Sequence, residues 1–128
     1  MEYGNFATAV NCMDGRVQLP VIEWMKRKYG VDYVDMITEP GPDRLFSANS
    51  AALERIRKRV SISVKAHGSR YVAVVAHHDC AGNPVSAAEH EEQLRQALDK
   101  VLSWGLPLRE VVALWVGSDW KPALIIKD

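Results

Sequence analysis

Apolar residues along this chain alternate between short continuous runs and stripes of helical period. Phe6 to Asn11 is a short apolar run and predicts a first strand. From Leu19 to Tyr29 the period changes, with Val21, Ile22, Met25 and Tyr29 returning near one face of a helix. Pro20 suits its first turn and Gly30 its end. Asp32 to Thr38 predicts a second strand. Glu39-Pro40-Gly41-Pro42-Asp43 then predicts a turn, because this cluster continues neither strand nor helix. Leu53, Ile56, Val60 and Val64 predict a second helix from about Ser50 to Ala66, closed by His67-Gly68-Ser69. Tyr71 to Ala76 is almost continuously apolar, the mark of a strand buried on both faces. After a polar loop from His77 to Pro84, Ser86 and Glu89 have capping-box spacing and open a third helix. Leu94, Leu98, Val101 and Leu102 are expected to face inward there, and Gly105 and Pro107 stop it. Val111 to Val116 predicts a fourth strand. Gly117-Ser118-Asp119 turns the chain, and Ala123 to Ile126 returns as a last strand in a hairpin.

This order, β-α-β-α-β-α-β with a returning strand, predicts an α/β fold. Four strands make a mainly parallel sheet, an antiparallel strand lies at its edge, and helices cover both faces. In a doubly wound sheet the first and third strands are neighbours and the second lies outside the first. Ligands in such sheets bind beyond the carboxyl ends of the strands, where the strand order reverses. With 128 residues and no repeat or linker, the chain reads as a single domain, residues 1–128.

Composition narrows the function classes. Sixteen Lys and Arg balance sixteen Asp and Glu, so the net charge is zero, which argues against a nucleic acid as main partner. Arg55, Arg57, Lys58, Arg59, Lys65 and Arg70 make the second helix region basic, but no stacking aromatics interleave with them, and a solvated helix face is the reading. No apolar run has the length of a membrane span, so no membrane partner is expected. The first residues carry no signal-peptide pattern, and the expected compartment is the cytoplasm. Two cysteines in that compartment read as thiols, metal ligands or a redox pair rather than a structural disulfide.

Both cysteines stand just past the ends of predicted strands one and three. Cys12 opens Cys12-Met13-Asp14-Gly15-Arg16, and Cys80 closes His77-His78-Asp79-Cys80. Neighbouring strands lie about 4.8 Å apart, so the two tips can converge on one ion. Two thiolates and an imidazole suit zinc, with a fourth position left for water or a carboxylate. A buried pair of core cysteines and a redox pair are the competing readings, although the CxxC spacing of the redox motif is absent.

With those two motifs in place, the sequence resembles the β-class carbonic anhydrases. Their signature is Cys-x-Asp-x-Arg after the first strand and His-x-x-Cys after the third; the turn Trp115-Val116-Gly117-Ser118-Asp119 fits in outline too. The resemblance implies that Cys12, His77 and Cys80 bind one zinc ion and that Asp14 and Arg16 form the catalytic dyad. It implies reversible hydration of CO2 to bicarbonate by attack of a zinc-bound hydroxide. In that scheme Asp14 orients the nucleophile, and Arg16 holds Asp14 off the metal by a charge-assisted bond. Homodimers or larger assemblies are usual in the family, so a homo-oligomer is expected. Hydrolysis of COS or CS2 at the same site is one alternative function. A noncatalytic zinc protein, with Asp14 as fourth ligand, is the other.

The chain also departs from the family pattern. Thr38-Glu39-Pro40-Gly41 replaces an Arg-Asn-Ala-Gly-like stretch, keeping only the glycine, and Ala81 stands where glycine usually follows the second cysteine. Few residues precede the first strand, where many members carry a helical arm. His78 reads as a loop residue, Asp79 as an imidazole-orienting or turn-capping group, and Gly82 as a tight-turn residue at the metal loop. His67 and His90 are expected to be solvated. Trp24, Trp104, Trp115 and Trp120 read as packing residues.

Overall fold

In the computed structural model, which describes residues 4–128, the elements follow in the predicted order. They are β1 (Phe6–Cys12), α1 (Gln18–Tyr29), β2 (Tyr33–Glu39), α2 (Ala51–His67), β3 (Tyr71–His77), α3 (Ala87–Ser103), β4 (Glu110–Val116) and β5 (Pro122–Lys127). A short 3-10 helix, Pro42–Leu45, occupies the proline-rich turn after β2. Serine hydroxyls set two helix starts. Ser50 accepts a hydrogen bond from the Leu53 N–H at 3.1 Å, and Ser86 one from the Glu89 N–H at 3.2 Å. Each satisfies a backbone donor that the first turn leaves without a partner.

The strands form one sheet in the order β2-β1-β3-β4-β5. The first four run parallel and β5 returns antiparallel along β4. β1 and β3 are neighbours in register Thr8↔Val72 to Val10↔Val74, with β2 outside β1, so the chain reverses its winding between β1 and β3. The expected α/β architecture is the observed one.

Two apolar layers hold it. On one face Val10, Val72 and Val74 pack under Ile56, Val60 and Val64 of α2 and Leu94, Ala97 and Val101 of α3. On the other, Ala7, Ala9 and Ala73 leave room for Val21 and Met25 of α1. Both faces being covered explains why β3 is continuously apolar. Among the described residues no helix is long and apolar enough to cross a membrane.

Three expectations need correction. Leu102 is 42% exposed, because it lies off the stripe formed by Leu94, Leu98 and Val101. His90 is buried rather than solvated, its Nδ1 lying 2.6 Å from Oδ2 of the equally buried Asp43. His67 is only half-exposed: it stacks on Phe6 with ring centroids 4.2 Å apart and meets the Asp35 carboxylate at 2.6 Å. Asp35 also accepts from Ser63 at 2.6 Å, and Ser63, Thr8 and Ser69 continue a chain of hydroxyls between α2 and β1. The basic residues of α2 are exposed, with Arg57 near Glu54 and Arg59 near Glu39, as a solvated face should be.

Candidate metal centre

Cys12 is the last residue of β1 and His77 the last of β3, so parallel pairing brings both to one edge of the sheet. Cys80 returns to the same point through a turn in which Asp79 adopts φ +56°. The two sulfurs are 3.9 Å apart, and one ligand atom from each of Cys12, His77 and Cys80 lies within 4.8 Å of the others. All three side chains are buried.

The imidazole of His77 tests whether these residues suit a metal. Its Nδ1 lies 2.7 Å from the His78 carbonyl oxygen, an acceptor only, so Nδ1 carries the proton. In the neutral ring the lone pair is then on Nε2, which is buried and has no hydrogen-bond partner. A buried polar atom without a partner is costly, and this one sits beside two thiols. Orientation of a ligand imidazole by a carbonyl on its other nitrogen is the usual support of a metal site. Two sulfurs and one nitrogen are a donor set suited to zinc. Burial, and then the neighbouring Cys12, push the Cys80 thiol up to about 11, so a metal would have to displace its proton.

Residues outside the candidate ligand set hold this arrangement. Asn11 is wholly buried; its side-chain oxygen accepts from the Cys12 N–H at 2.8 Å and its amide donates to the Val17 carbonyl at 3.1 Å. Gln18 donates to the Cys12 carbonyl. The Gly41 N–H points to the Cys12 sulfur at 3.5 Å. None of these three was singled out in the sequence as a supporting group. A polar Asn ending an apolar strand was the available signal for Asn11.

Asp14 lies beside the cluster but is turned to Arg16. The guanidinium donates to its carboxylate from Nη2 at 2.7 Å and Nε at 3.1 Å, and the Arg16 backbone N–H adds a bond at 2.9 Å. The side-chain bonds from Arg16 come first in holding Asp14 down to about 2. Asp79 Oδ2 and the Asp79 carbonyl take further Arg16 donors at 3.3 and 3.2 Å. Asp79 thus faces the arginine and not the imidazole. His78 is exposed, as expected of a loop residue, and contributes its carbonyl. Gly82 is needed for close approach: a Cβ there would fall 2.6 Å from the Cβ of Pro40. The four tryptophans are all half-buried.

The chain is thus a doubly wound α/β protein with a thiol–imidazole cluster at its switch point that could hold a metal ion, and a carboxylate–guanidinium pair beside it. The sequence matches, over residues 2–126, the model of the family described as "Putative carbonic anhydrase", and the chain belongs to that family. Two solved structures share the fold. A carbonic anhydrase from Glaciozyma antarctica aligns with TM-score 0.59 and 18% identity, over 94% of this chain and 81% of that one. A carbonic anhydrase from Streptococcus mutans aligns with TM-score 0.54 and 15% identity, over the same shares. None of the curated proteins matches the chain.

Proposed function

We propose that the protein catalyses reversible hydration of CO2 to bicarbonate, with zinc held by Cys12, His77 and Cys80. The observation that carries this reading is the buried, unpartnered Nε2 of His77 beside two sulfurs. When bound, zinc would supply a Lewis acid that acidifies water. The chain's own part is to orient the attacking water and keep a place for it. Asp14 stays ionised well below neutral pH, so its carboxylate accepts a hydrogen bond and fixes the direction of attack. Arg16 occupies both oxygens of Asp14. That engagement keeps the carboxylate from becoming a fourth ligand, and it favours the catalytic reading over a closed, noncatalytic zinc site. COS and CS2 are linear relatives of CO2, and the altered Thr38–Gly41 wall makes them the competing substrates.

We also read the protein as a homo-oligomer acting in the cytoplasm. Exposed Met13 and Leu19 near the site, and Leu124 and Ile125 on the edge strand, support association of copies. Light scattering should give a mass above the 14.3 kDa of one chain; a monomer at micromolar concentration would refute the oligomer.

Stopped-flow CO2 hydration on protein of measured zinc content tests the activity. One zinc per chain and turnover far above a Cys12→Ala control are expected. Asp14→Ala should keep zinc and lose roughly 100-fold or more in turnover. One zinc per chain with no hydration from neutral to alkaline pH would overturn the reading. Turnover of COS or CS2 in its place would support the alternative substrates.

A further inference from the structure

Trp120 stands in the turn between β4 and β5 with φ +57°. For a bulky side chain this left-handed conformation is an outlier, and such outliers persist where the surroundings over-determine them. Asp79, at φ +56°, is the only other non-glycine residue with positive φ among the described residues. Both converge on one side chain. The indole of Trp120 lies under the Arg16 guanidinium, 4.6 Å from its carbon, within the range of a cation–π contact. Asp79 takes the guanidinium edge that Asp14 leaves open. The same indole lies 5.8 Å from the His77 ring and 6.4 Å from that of His78.

Arg16 is itself half-exposed and has a long, flexible stem. Its grip on Asp14 therefore depends on something limiting where the guanidinium can go. Asp79 alone would not do this, because a second carboxylate offers an alternative partner as well as an anchor. A flat aromatic face restricts the planar cation to one plane, in which both carboxylates can be met at once.

We infer that Trp120 is a positioning residue for the site: its indole fixes the plane of Arg16, so that the guanidinium stays on Asp14 and the carboxylate stays out of the metal's ligand set. This inference rests on the Asp14–Arg16 roles proposed above. The strained backbone is the price of placing an indole there, and it supplies a clean variant. Trp120→Gly removes the ring and suits the left-handed conformation, which offsets part of the packing lost against the Leu114 and Val116 layer, and Trp120→Phe serves as a second variant that keeps an aromatic face.

The zinc-loaded protein is compared with Trp120→Gly and Trp120→Phe. In the parent, the Arg16 Nε–H signal in NMR should be sharp and slow to exchange. In Trp120→Gly it should broaden or vanish, and in Trp120→Phe it should return. Zinc affinity, from competition with a chromophoric chelator, should rise about tenfold in Trp120→Gly, as the freed Asp14 becomes a ligand. That rise should disappear in Trp120→Gly/Asp14→Asn. CO2 turnover should fall about tenfold or more in kcat with little change in KM. A packing role alone would not raise metal affinity. An unchanged Arg16 signal with unchanged zinc affinity in Trp120→Gly would overturn the inference. If the parent shows no CO2 turnover, the proposed activity fails, while the Arg16 signal and the zinc affinity still decide the role of Trp120.

Discussion

Gly41 is the residue at which fold and candidate site can be tested together. Its φ is +52°, and a Cβ built on it would lie 2.5 Å from the Cβ of Asn83, 2.9 Å from its backbone nitrogen and 3.0 Å from the carbonyl carbon of Gly82. Two of those atoms are backbone, in the loop that carries Cys80. Two costs therefore add in Gly41→Ala. The left-handed conformation costs an L residue roughly 1–2 kcal/mol. Forcing a methyl into a packed contact costs about 1–3 kcal/mol. The expected loss is thus about 2–5 kcal/mol. Two other glycines separate the terms. Gly30 has φ +64° with nothing within 4 Å of a built Cβ, so Gly30→Ala should lose only the first term, roughly 1–2 kcal/mol. Gly15 has neither a positive φ nor a neighbour within 4 Å, and Gly15→Ala should change stability by about 0.5 kcal/mol or less. Urea unfolding of the metal-free proteins gives the three values. Because the Gly41 N–H faces the Cys12 sulfur, Gly41→Ala should also weaken zinc binding by about 10–100-fold, as loss of a supporting contact does. A Gly41→Ala protein no less stable than Gly30→Ala, with unaltered zinc affinity, would refute the close approach of the two loops.

His90→Leu removes the one hydrogen-bond partner of a buried carboxylate whose other oxygen, Asp43 Oδ1, already has none, and should cost about 3–5 kcal/mol in urea unfolding. In a double-mutant cycle, His90→Leu should cost much less in an Asp43→Leu background; additive losses would contradict the pairing. Burial first, and then the Glu110 carboxylate 2.5 Å from its hydroxyl, push Tyr29 well above the ordinary tyrosine range. The folded chain holds that proton more tightly than the unfolded one. Its contribution is therefore full below about pH 10 and falls as pH rises beyond it. Tyr29→Phe should flatten the alkaline loss of stability measured by urea midpoints from pH 8 to 11.5, and an identical decline in both proteins would refute the assignment.

The sheet was legible because its signals are local. Each strand is a short apolar run and each helix a stripe, and the order of the two types leaves little freedom in the winding. Cys12 and Cys80 were legible for the same reason, since both follow apolar runs whose ends the topology brings together. Contacts between distant polar residues were not. Asp43 and His90 are 47 positions apart, and neither residue type advertises burial. Yet the helical period held a clue: His90 stands one turn before Leu94, on the stripe that continues to Ala97, Leu98 and Val101. Reading the residue type in place of its position put His90 in solvent. The second partner of Arg16 was hidden likewise. The sequence offers Asp79 an imidazole to orient or a turn to cap, but its left-handed backbone turns it to the arginine.

The proposed chemistry asks two opposed things of Asp14: to stand near the metal, and not to bind it. Nearness follows from the chain, since Asp14 is two residues past Cys12. On the proposed reading exclusion has to be built, and the groups that would build it come partly from another loop. Arg16 is bonded to Asp14 in its own loop and to Asp79 in the loop after β3, and Asp79 immediately precedes Cys80. A displacement of the β3 loop would therefore move the Cys80 sulfur and the anchor of the arginine together. The glycines at 41 and 82 lie where that loop presses on the one after β2, with built Cβ contacts of 2.5 and 2.6 Å. The spacing of the two loops sets the separation of the Cys12 and Cys80 sulfurs together with the seat of the Arg16–Asp14 pair.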